Sequence, residues 1–525
     1  MKTNLANILI IGSGVAGGVI AEGLLRKGIK SIIMIEAGTT MIMKDHRKWL
    51  DVVMSKKFPY DKLSDEKTDY ESYGNQPWKI EGGRLIVRGG STMHWGGWCP
   101  RMKPEDFELR SRIESGGLDW PLTYNQLEPY YLEAEKYLQV AGDSSDQDPP
   151  RSSSYPYEAP QFTLTDNIII QGLDQLGISH MHIPIARNAK PINGMPACVT
   201  TGTCGYCPIE ARFTGNQPLD RISVKYEEDS FKLLSNTVAK QIRVDRKNRA
   251  TGVECIDTET DERFIVEAQK IIVCAGSLET PKLLLYSTSA FWPNGIGNDS
   301  NHVGRHLVAN PYFYVRGKAK ENPKKIQEEL FMPTVGSRHW DTPEFQKEGK
   351  FFFNKAPSPD LKIANLMGKG YSRKDIEQAV IGEQILELQG TIQTFSYFEN
   401  KVKLGYGTTR FGLPKTVIDT PVDAISSRQK KIILDRLNRI LTTVGYTPLD
   451  NDLGSGIYQQ RGDHAMCTTR MSISPSEGVV DENCKIHEME NVYIVSNAIF
   501  PSGAAANPTL TLVAIAFRFL EQFNI

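Results

Sequence analysis

Apolar positions along this chain change their period several times, and each change marks an element. Asn7 to Ile11 is a short continuous apolar run, the pattern of a strand buried on both faces of a parallel sheet. VIAEGLLRKG then places Val19, Leu24 and Leu25 at helical spacing, Gly28 ends that helix, and SIIMIE predicts a second strand ending in Glu36. The polar, proline-containing stretch 143–155 (DSSDQDPPRSSSY) reads as a linker or surface loop. From about 311 to 455, strand-like runs (PYFYVRG, TIQTFSYF, KVKLG) alternate with a helical pattern, SSRQKKIILDRLNRILTTVGY. Phe395, Tyr397 and Phe398 fall in the second of these runs, where a strand core is expected over a ligand-facing role. Near the end, Val492 to Ser496 predicts a strand and Pro501 to Ala506 a loop of small residues. A last helix follows, with Asn507 suited to its N-cap and Pro508 to its first turn.

Composition narrows the class. At 525 residues the chain exceeds one ordinary core, so two or more domains are expected, and no internal repeat is evident. The 61 basic and 62 acidic residues cancel without a long basic block, which argues against a nucleic-acid partner. No uncharged apolar run approaches the roughly 18 residues of a membrane span, and LTLVAIAFRFL, broken by Arg518, reads as a buried helix. MKTNLAN leads straight into ILIIGSG, so no secretion signal is read. The expected location is cytoplasmic, or periplasmic if a partner subunit carries the signal. Eight cysteines are too few and too uneven for a disulfide framework.

The chemistry begins at Gly12-Ser13-Gly14-Val15-Ala16-Gly17. A GxGxxG is weak evidence alone, but this one follows a strand, opens a helix and has an acidic residue 19 positions beyond its last glycine. Gly12 permits the tight turn, Gly14 lets the backbone approach a pyrophosphate, and Gly17 lets helix and strand pack closely. The helix N-terminus receives phosphate charge, and Glu36 accepts hydrogen bonds from an adenosine ribose. Glu36-Ala37-Gly38 directly after the second strand is a form that favours FAD over NAD.

With GSGVAG and IEAG at one end, AGSLETPKLLLYST at 275–288, NHVGRHL at 301–307, and HAMCTTRM with SNAIFPSGAAANPTLT at the other, the chain resembles the glucose-methanol-choline (GMC) family of flavin oxidoreductases. The resemblance covers both ends and the middle, and departs where Thr288-Ser289 replaces the usual Ser-Gly. The C-terminal pieces are most similar to pyranose oxidases and related sugar dehydrogenases. The implied fold is α/β: an FAD-binding Rossmann-like domain built from separated segments, plus a substrate domain with an antiparallel sheet backed by helices. The expected division is 1–142 (FAD domain, first part), 143–195 (linker and substrate-domain elements), 196–310 (FAD domain with the cysteine loop), 311–455 (substrate domain) and 456–525 (FAD domain, C-terminal part).

Site residues follow from the same resemblance. His464, first of an H-x-x-x-T-x-R-M stretch, is the catalytic base, and Asn507 of NPTLT is its partner. Oxidising an alcohol needs a proton acceptor at oxygen and a hydride acceptor at carbon; histidine suits the first near neutral pH and flavin N5 the second. Asn507 can also hold the same oxygen, and a plain N-cap is the alternative. The flavin contacts expected are Gly12, Gly14, Gly17, Glu36, Gly90, Ser91, His94, Val238, Ala275, Asn497, Pro508 and Thr509. In GGSTMHWGG (89–97), His94-Trp95 occupies the place where pyranose oxidases bond a histidine to the flavin. Three arrangements are considered there: a covalent bond through His94, close contact without one, or His94 merely buried beside Trp95. Gly96 stands where the fungal oxidases have a threonine at the reactive edge, which favours a dehydrogenase over an oxidase.

Cys198, Cys204 and Cys207, the last followed by Pro208, crowd into ten residues. Such thiolates can converge on a three-iron (3Fe-4S) cluster, and the stretch resembles a cluster loop of FAD-dependent glucose dehydrogenases. Reduced packed cysteines are the alternative; zinc lacks a fourth ligand within the motif. The reading as a whole is an FAD-dependent dehydrogenase, of the glucoside 3-dehydrogenase type, oxidising a secondary hydroxyl of a pyranose or glycoside at C3 or C2. Electrons would pass to a cytochrome, quinone or dye-like acceptor, with room for a small partner subunit. The alternatives are a sugar oxidase using oxygen, a GMC-fold lyase without net redox change, and a non-catalytic flavoprotein or binding subunit, against which the His464–Asn507 pair argues.

Overall fold

A computed structural model describes residues 3–524 apart from 56–57, 59, 61–68, 76–77, 79, 81–82, 114–116, 200–202, 320–333, 356–366, 368, 377–384, 424, 450–456 and 460–461. The expected boundary at 455–456 lies outside the described residues. The architecture is α/β; the described strands form two large sheets, a small three-stranded sheet and a two-stranded pair.

Thr3–Ile11 lies at the centre of the first sheet, parallel to Ile32–Ile35 on one side and to Arg263–Val273 on the other. Phe231–Leu234 extends the parallel set beyond Ile32–Ile35. Ile8 to Ile11 and Ile32 to Ile35 are buried at every position, as strands covered on both faces must be. Arg263–Val273 changes partner along its length. Its first half pairs antiparallel with Ala250–Asp257, whereas Ile271, Ile272 and Val273 pair in parallel with Val492–Ile494. The C-terminal segment is thereby tied into the N-terminal sheet. Helix Val15–Arg26 packs on the final helix Thr509–Gln522, which also packs on Tyr124–Leu138. Gly23 permits the close approach, since a methyl there would stand 2.3 Å from Leu520 Cδ1.

The second sheet is antiparallel throughout its described pairings, with Tyr312–Ala319 between Ile385–Ile392 and Tyr446–Pro448. Phe313 and Val315 bury against Ile433, Leu437, Ile440 and Leu441 of helix Ser427–Thr443. The hydroxyl of Ser426 accepts from the Gln429 N–H and Gln429 Oε1 accepts from the Ser426 N–H, which sets where that helix starts. Strand alternation then puts Tyr312 and Tyr314 on the opposite face of the sheet.

One segment differs from the sequence pattern. The run TIQTFSYF is strand only through Ile392. Gln393 Nε2 donates to the Gly503 carbonyl (3.1 Å) and Thr394 Oγ1 to the Ala309 carbonyl (2.6 Å), which draws the chain off the sheet. Phe398 therefore ends against His302 and His306 rather than in a strand core. Lys401–Thr408 pairs with Pro414–Thr420, which is parallel to Tyr70–Gly74, and this small sheet packs on helix Gly276–Tyr286. Stretch 143–155 is a surface loop stapled to Tyr124–Leu138: Arg151 pairs with Glu135 at 2.7 Å and lies over the Tyr155 ring.

Candidate active site

A cavity of about 570 Å³ runs between the first sheet, the small sheet and the polar face of the second, a volume suited to a bound cofactor. The glycine turn forms one wall. Gly12 has φ +100° and sits so close to Cys274 that a methyl would stand 2.7 Å from the Cys274 carbonyl oxygen. Gly14 faces open space, with nothing within 4 Å of where a methyl would point. Gly17 lies behind the turn, against the Gly12 carbonyl, and does not line the cavity. Glu36 is buried at the end of the second strand. One carboxylate oxygen accepts from the Ser13 N–H (2.9 Å) and hydroxyl (2.7 Å), the other from the Gly38 N–H (2.8 Å). Burial raises its pKa above the ordinary carboxylate value, against the pull of those hydrogen bonds and Arg84.

A second glycine loop presses on the first. Gly89 and Gly90 both adopt positive φ, and a methyl on Gly90 would stand 2.9 Å from Gly14 Cα. Only glycine at 90 lets the two loops meet without strain. Gly90–Met93 forms a short 3₁₀ turn that delivers His94 to the cavity, where Gly90 and Ser91 also line the wall. His94 Nδ1 lies 2.6 Å from the Ser91 carbonyl; a carbonyl only accepts, so Nδ1 carries the proton. Two buried arginines hold this loop from behind. Arg187 Nε donates to the Gly96 carbonyl (2.8 Å), and Arg212 donates to the carbonyls of Thr92 (2.7 Å) and Met93.

His464 and Asn507, both buried, meet across the cavity, with Asn507 Nδ2 3.2 Å from His464 Nε2. Tyr312 completes the group, its hydroxyl 3.1 Å from the same nitrogen. The sequence reading missed Tyr312. Its alternation with the buried Phe313 and Val315 marked its face of the strand, and no motif pointed to its partner. Asn507 does not cap the final helix: the N-cap position is Pro508, the helix starts at Thr509, and the Asn507 amide is turned to His464. Val238, Ala275, Asn497 and Thr509 also line the cavity, whereas Pro508 does not.

These residues fit a dinucleotide-type cofactor. The space before Gly14, the buried acid at 36 and the helix N-terminus between them suit a ribose and a pyrophosphate. Asn497 Oδ1 and Ser277 Oγ, both in residues lining the cavity, are buried and have no hydrogen-bond partner among the described residues. Buried polar atoms are normally paired, so such orphans at a cavity wall mark places for a ligand's polar groups.

Nothing among the described residues supports the expected iron–sulfur cluster at the cysteine loop. Cys198, Cys204 and Cys207 are free thiols, and among the described residues no group of three or more His, Cys, Asp or Glu side chains is placed to hold a metal ion. Burial works against the charge of Arg187, but the influence of Cys204, Cys198 and Cys207 outweighs that and raises its pKa. Tyr206, fully buried and donating to the Ile42 carbonyl at 3.2 Å, pulls this segment onto a neighbouring apolar cluster.

One GMC oxidoreductase family model matches residues 7–312 and another, for the C-terminal part, matches 399–516. The chain belongs to the GMC oxidoreductase family. This GMC oxidoreductase is 25% identical to the fructose dehydrogenase large subunit of Gluconobacter japonicus, over 98% of its own length and 97% of the relative's. It is 26% identical to the 6'''-hydroxyparomomycin C oxidase of Streptomyces lividus, over 98% and 90%. Among solved structures it is similar to pyridoxine 4-oxidase from Mesorbium loti (TM-score 0.66, 17% identity, 99% of both chains). It is also similar to Aspergillus oryzae formate oxidase (TM-score 0.67, 14% identity, 99% and 98%). The GMC fold thus accounts for both large sheets. Among the described residues no helix is long and apolar enough to cross a membrane.

Proposed function

We propose that this chain is an FAD-dependent dehydrogenase that oxidises a secondary hydroxyl of a sugar or glycoside, at C3 or C2 of a pyranose ring, to a ketone. The observation that carries the reading is the pairing of Asn507 with His464 at 3.2 Å, with the Tyr312 hydroxyl on the same nitrogen, in the cavity that also holds the two glycine loops. When bound, the flavin supplies a two-electron acceptor for the C–H bond. His464 Nε2 takes the hydroxyl proton of the substrate, since it already sits at the focus of two hydrogen-bond donors. Asn507 and Tyr312 hold the substrate oxygen where charge develops, and the burial of His464 and Asn507 keeps water from competing.

Gly12 and Gly14 hold the pyrophosphate and Glu36 the ribose, with Gly17 packing the turn behind them and Thr509 at a second helix start. His94 is the proposed point of covalent attachment. The Ser91 carbonyl fixes its proton on Nδ1, so Nε2 carries the lone pair that such a bond needs. The sugar substrate is supported by relatives such as the fructose dehydrogenase large subunit, and that protein's description as a large subunit supports a partner subunit here. Gly96, lining the cavity with no side chain at the proposed reactive edge, supports a dehydrogenase.

The test is absorbance spectroscopy of the purified protein, before and after acid precipitation, then anaerobically with glucose and simple glucosides. Flavin bands bleached by a glycoside are the expected result. Unmoved bands would remove the sugar assignment, and peroxide formed under air would replace the dehydrogenase reading with an oxidase. Colour retained in the acid pellet and lost in a His94→Ala chain would locate the covalent bond; colour in the supernatant would remove it.

A further inference from the structure

The hairpin between Lys401–Thr408 and Pro414–Thr420 reaches the cavity with its tip, although it belongs to the small sheet and to no dinucleotide-binding motif. Thr409, Phe411, Leu413 and Pro414 line the cavity wall. The tip is built rather than loose: the Thr409 N–H donates to the Leu413 carbonyl (2.8 Å), the Gly412 N–H donates to the Thr409 carbonyl (3.0 Å), and Gly412 takes φ +70°. Arg410 packs on the Phe411 ring at 4.5 Å and donates through Nη2 to the Thr258 carbonyl at 2.9 Å. That bond fixes which end of the cavity the tip covers. The Thr258 N–H donates to the Asn236 carbonyl, and the neighbouring Thr237 N–H donates to the Glu36 carbonyl, so the tip sits over the end walled by Glu36, Thr237 and Val238. There Thr409 is buried, and its hydroxyl oxygen has no hydrogen-bond partner among the described residues. An aromatic ring and an orphaned hydroxyl side by side match the needs of a purine: a flat face to cover and polar edges to pair.

We propose that the hairpin tip is the adenosine clamp of the cofactor site, with Phe411 covering the base and Thr409 bonding a polar atom of the base or its ribose. The proposal rests on the FAD reading above. It also explains why the small sheet is built as it is. Tyr70–Gly74 and Pro414–Thr420 brace the hairpin against helix Gly276–Tyr286, and Arg410 anchors the tip to the first sheet.

The test measures the dissociation constants of FAD and of ADP, which keeps the adenosine but lacks the flavin, for the full chain freed of cofactor. If the flavin is covalent, the comparison is made in the His94→Ala chain. Phe411→Ala is expected to weaken both ligands about tenfold, Phe411→Tyr to restore them, and Thr409→Ser to hold where Thr409→Val weakens them. The melting temperature of each cofactor-free variant is expected to match the parent. Unchanged affinity in Phe411→Ala would overturn the clamp, as would equal weakening by Phe411→Tyr, or a loss of affinity that follows a fall in cofactor-free melting temperature. A parent chain that binds ADP but not FAD would overturn the flavin reading while leaving the adenosine clamp open to the same variants; one that binds neither would overturn both.

Discussion

Asn507 and His464, 43 residues apart in sequence, are held amide to imidazole at 3.2 Å on the wall of the cofactor cavity. An amide N–H directed at Nε2 marks that nitrogen as an acceptor, the state a base must start from. His464→Ala is therefore expected to lower kcat by about a hundredfold to ten-thousandfold while the flavin spectrum stays unchanged. Asn507→Ala is expected to lower kcat about a hundredfold, with a smaller effect on KM, because its donor is used most as charge develops on the substrate oxygen. Steady-state kinetics normalised to flavin absorbance check both. An equal loss of bound flavin would reassign the pair to cofactor binding.

Tyr312 supplies the second donor at the same nitrogen, from a strand of the other large sheet. Tyr312→Phe removes one hydroxyl and keeps the ring against His464. The expected result is a fall of about threefold to tenfold in kcat/KM, the size of one net hydrogen bond, with no change in melting temperature. An unaltered rate would leave Tyr312 as packing for the imidazole.

The parts of the site that could be read from sequence are those whose chemistry lies within one local turn. Gly12, Gly14 and Gly17 are spaced by the strand-to-helix turn itself, and Glu36 follows from the length of one helix and one strand. His464 and Asn507 stood out only through a family motif, since nothing local links them. Tyr312 was hidden for a related reason: alternation shows that it shares a face with Tyr314, not what that face meets. The cysteine loop has the spacing of a cluster motif, but spacing along the chain does not say whether the thiols are placed as ligands, and among the described residues no such group is found. Thr409 and Phe411 sit in a stretch without any motif, and only the pairing of Pro414–Thr420 with Tyr70–Gly74 brings them to the cavity.

Gly14 and Gly17 separate the fold from the site. A methyl on Gly17 would stand 2.1 Å from the Gly12 carbonyl oxygen, a backbone atom that cannot turn aside. Gly14 has φ −62° and open space before it. Gly17→Ala is expected to lower the melting temperature of cofactor-free protein, whereas Gly14→Ala is expected to leave it unchanged and lose bound FAD, because the methyl enters the phosphate space. Thermal melts and flavin content of the two purified variants make the comparison. Equal flavin retention by Gly14→Ala would contradict the pyrophosphate assignment.

Away from the cavity, His302 and His306 form a directed chain whose protonation is set by its ends. Arg470 Nη1 only donates, so His306 Nδ1 accepts at 3.3 Å; the Ser476 carbonyl only accepts, so His302 Nε2 donates at 2.9 Å. His306 Nε2 must then carry the proton that bridges to His302 Nδ1 at 3.0 Å, and both rings are neutral. Burial, then Arg470, His302 and Arg305, push His306 down to about 2, and burial lowers His302 as well. Phe398 covers both rings, and Glu477, which accepts from Arg470 through its carbonyl, pairs its carboxylate with Arg110. In the unfolded chain each histidine binds a proton near its ordinary value of about 6.5, so below that pH the unfolded state holds more protons than the folded one. Stability is therefore full above about pH 6.5 and falls as the solution is acidified, by up to about 1.4 kcal/mol per pH unit for each histidine. Between about pH 6 and 5, exposed carboxylates remain largely ionised, so the histidines dominate the slope. His306→Gln keeps an acceptor for Arg470 and a donor for His302 but cannot take up the proton. Urea midpoints of parent and variant at about pH 7, 6 and 5 are expected to converge as the pH falls. A constant difference across that range would mean that His306 titrates alike in the folded and unfolded states and that acid acts elsewhere.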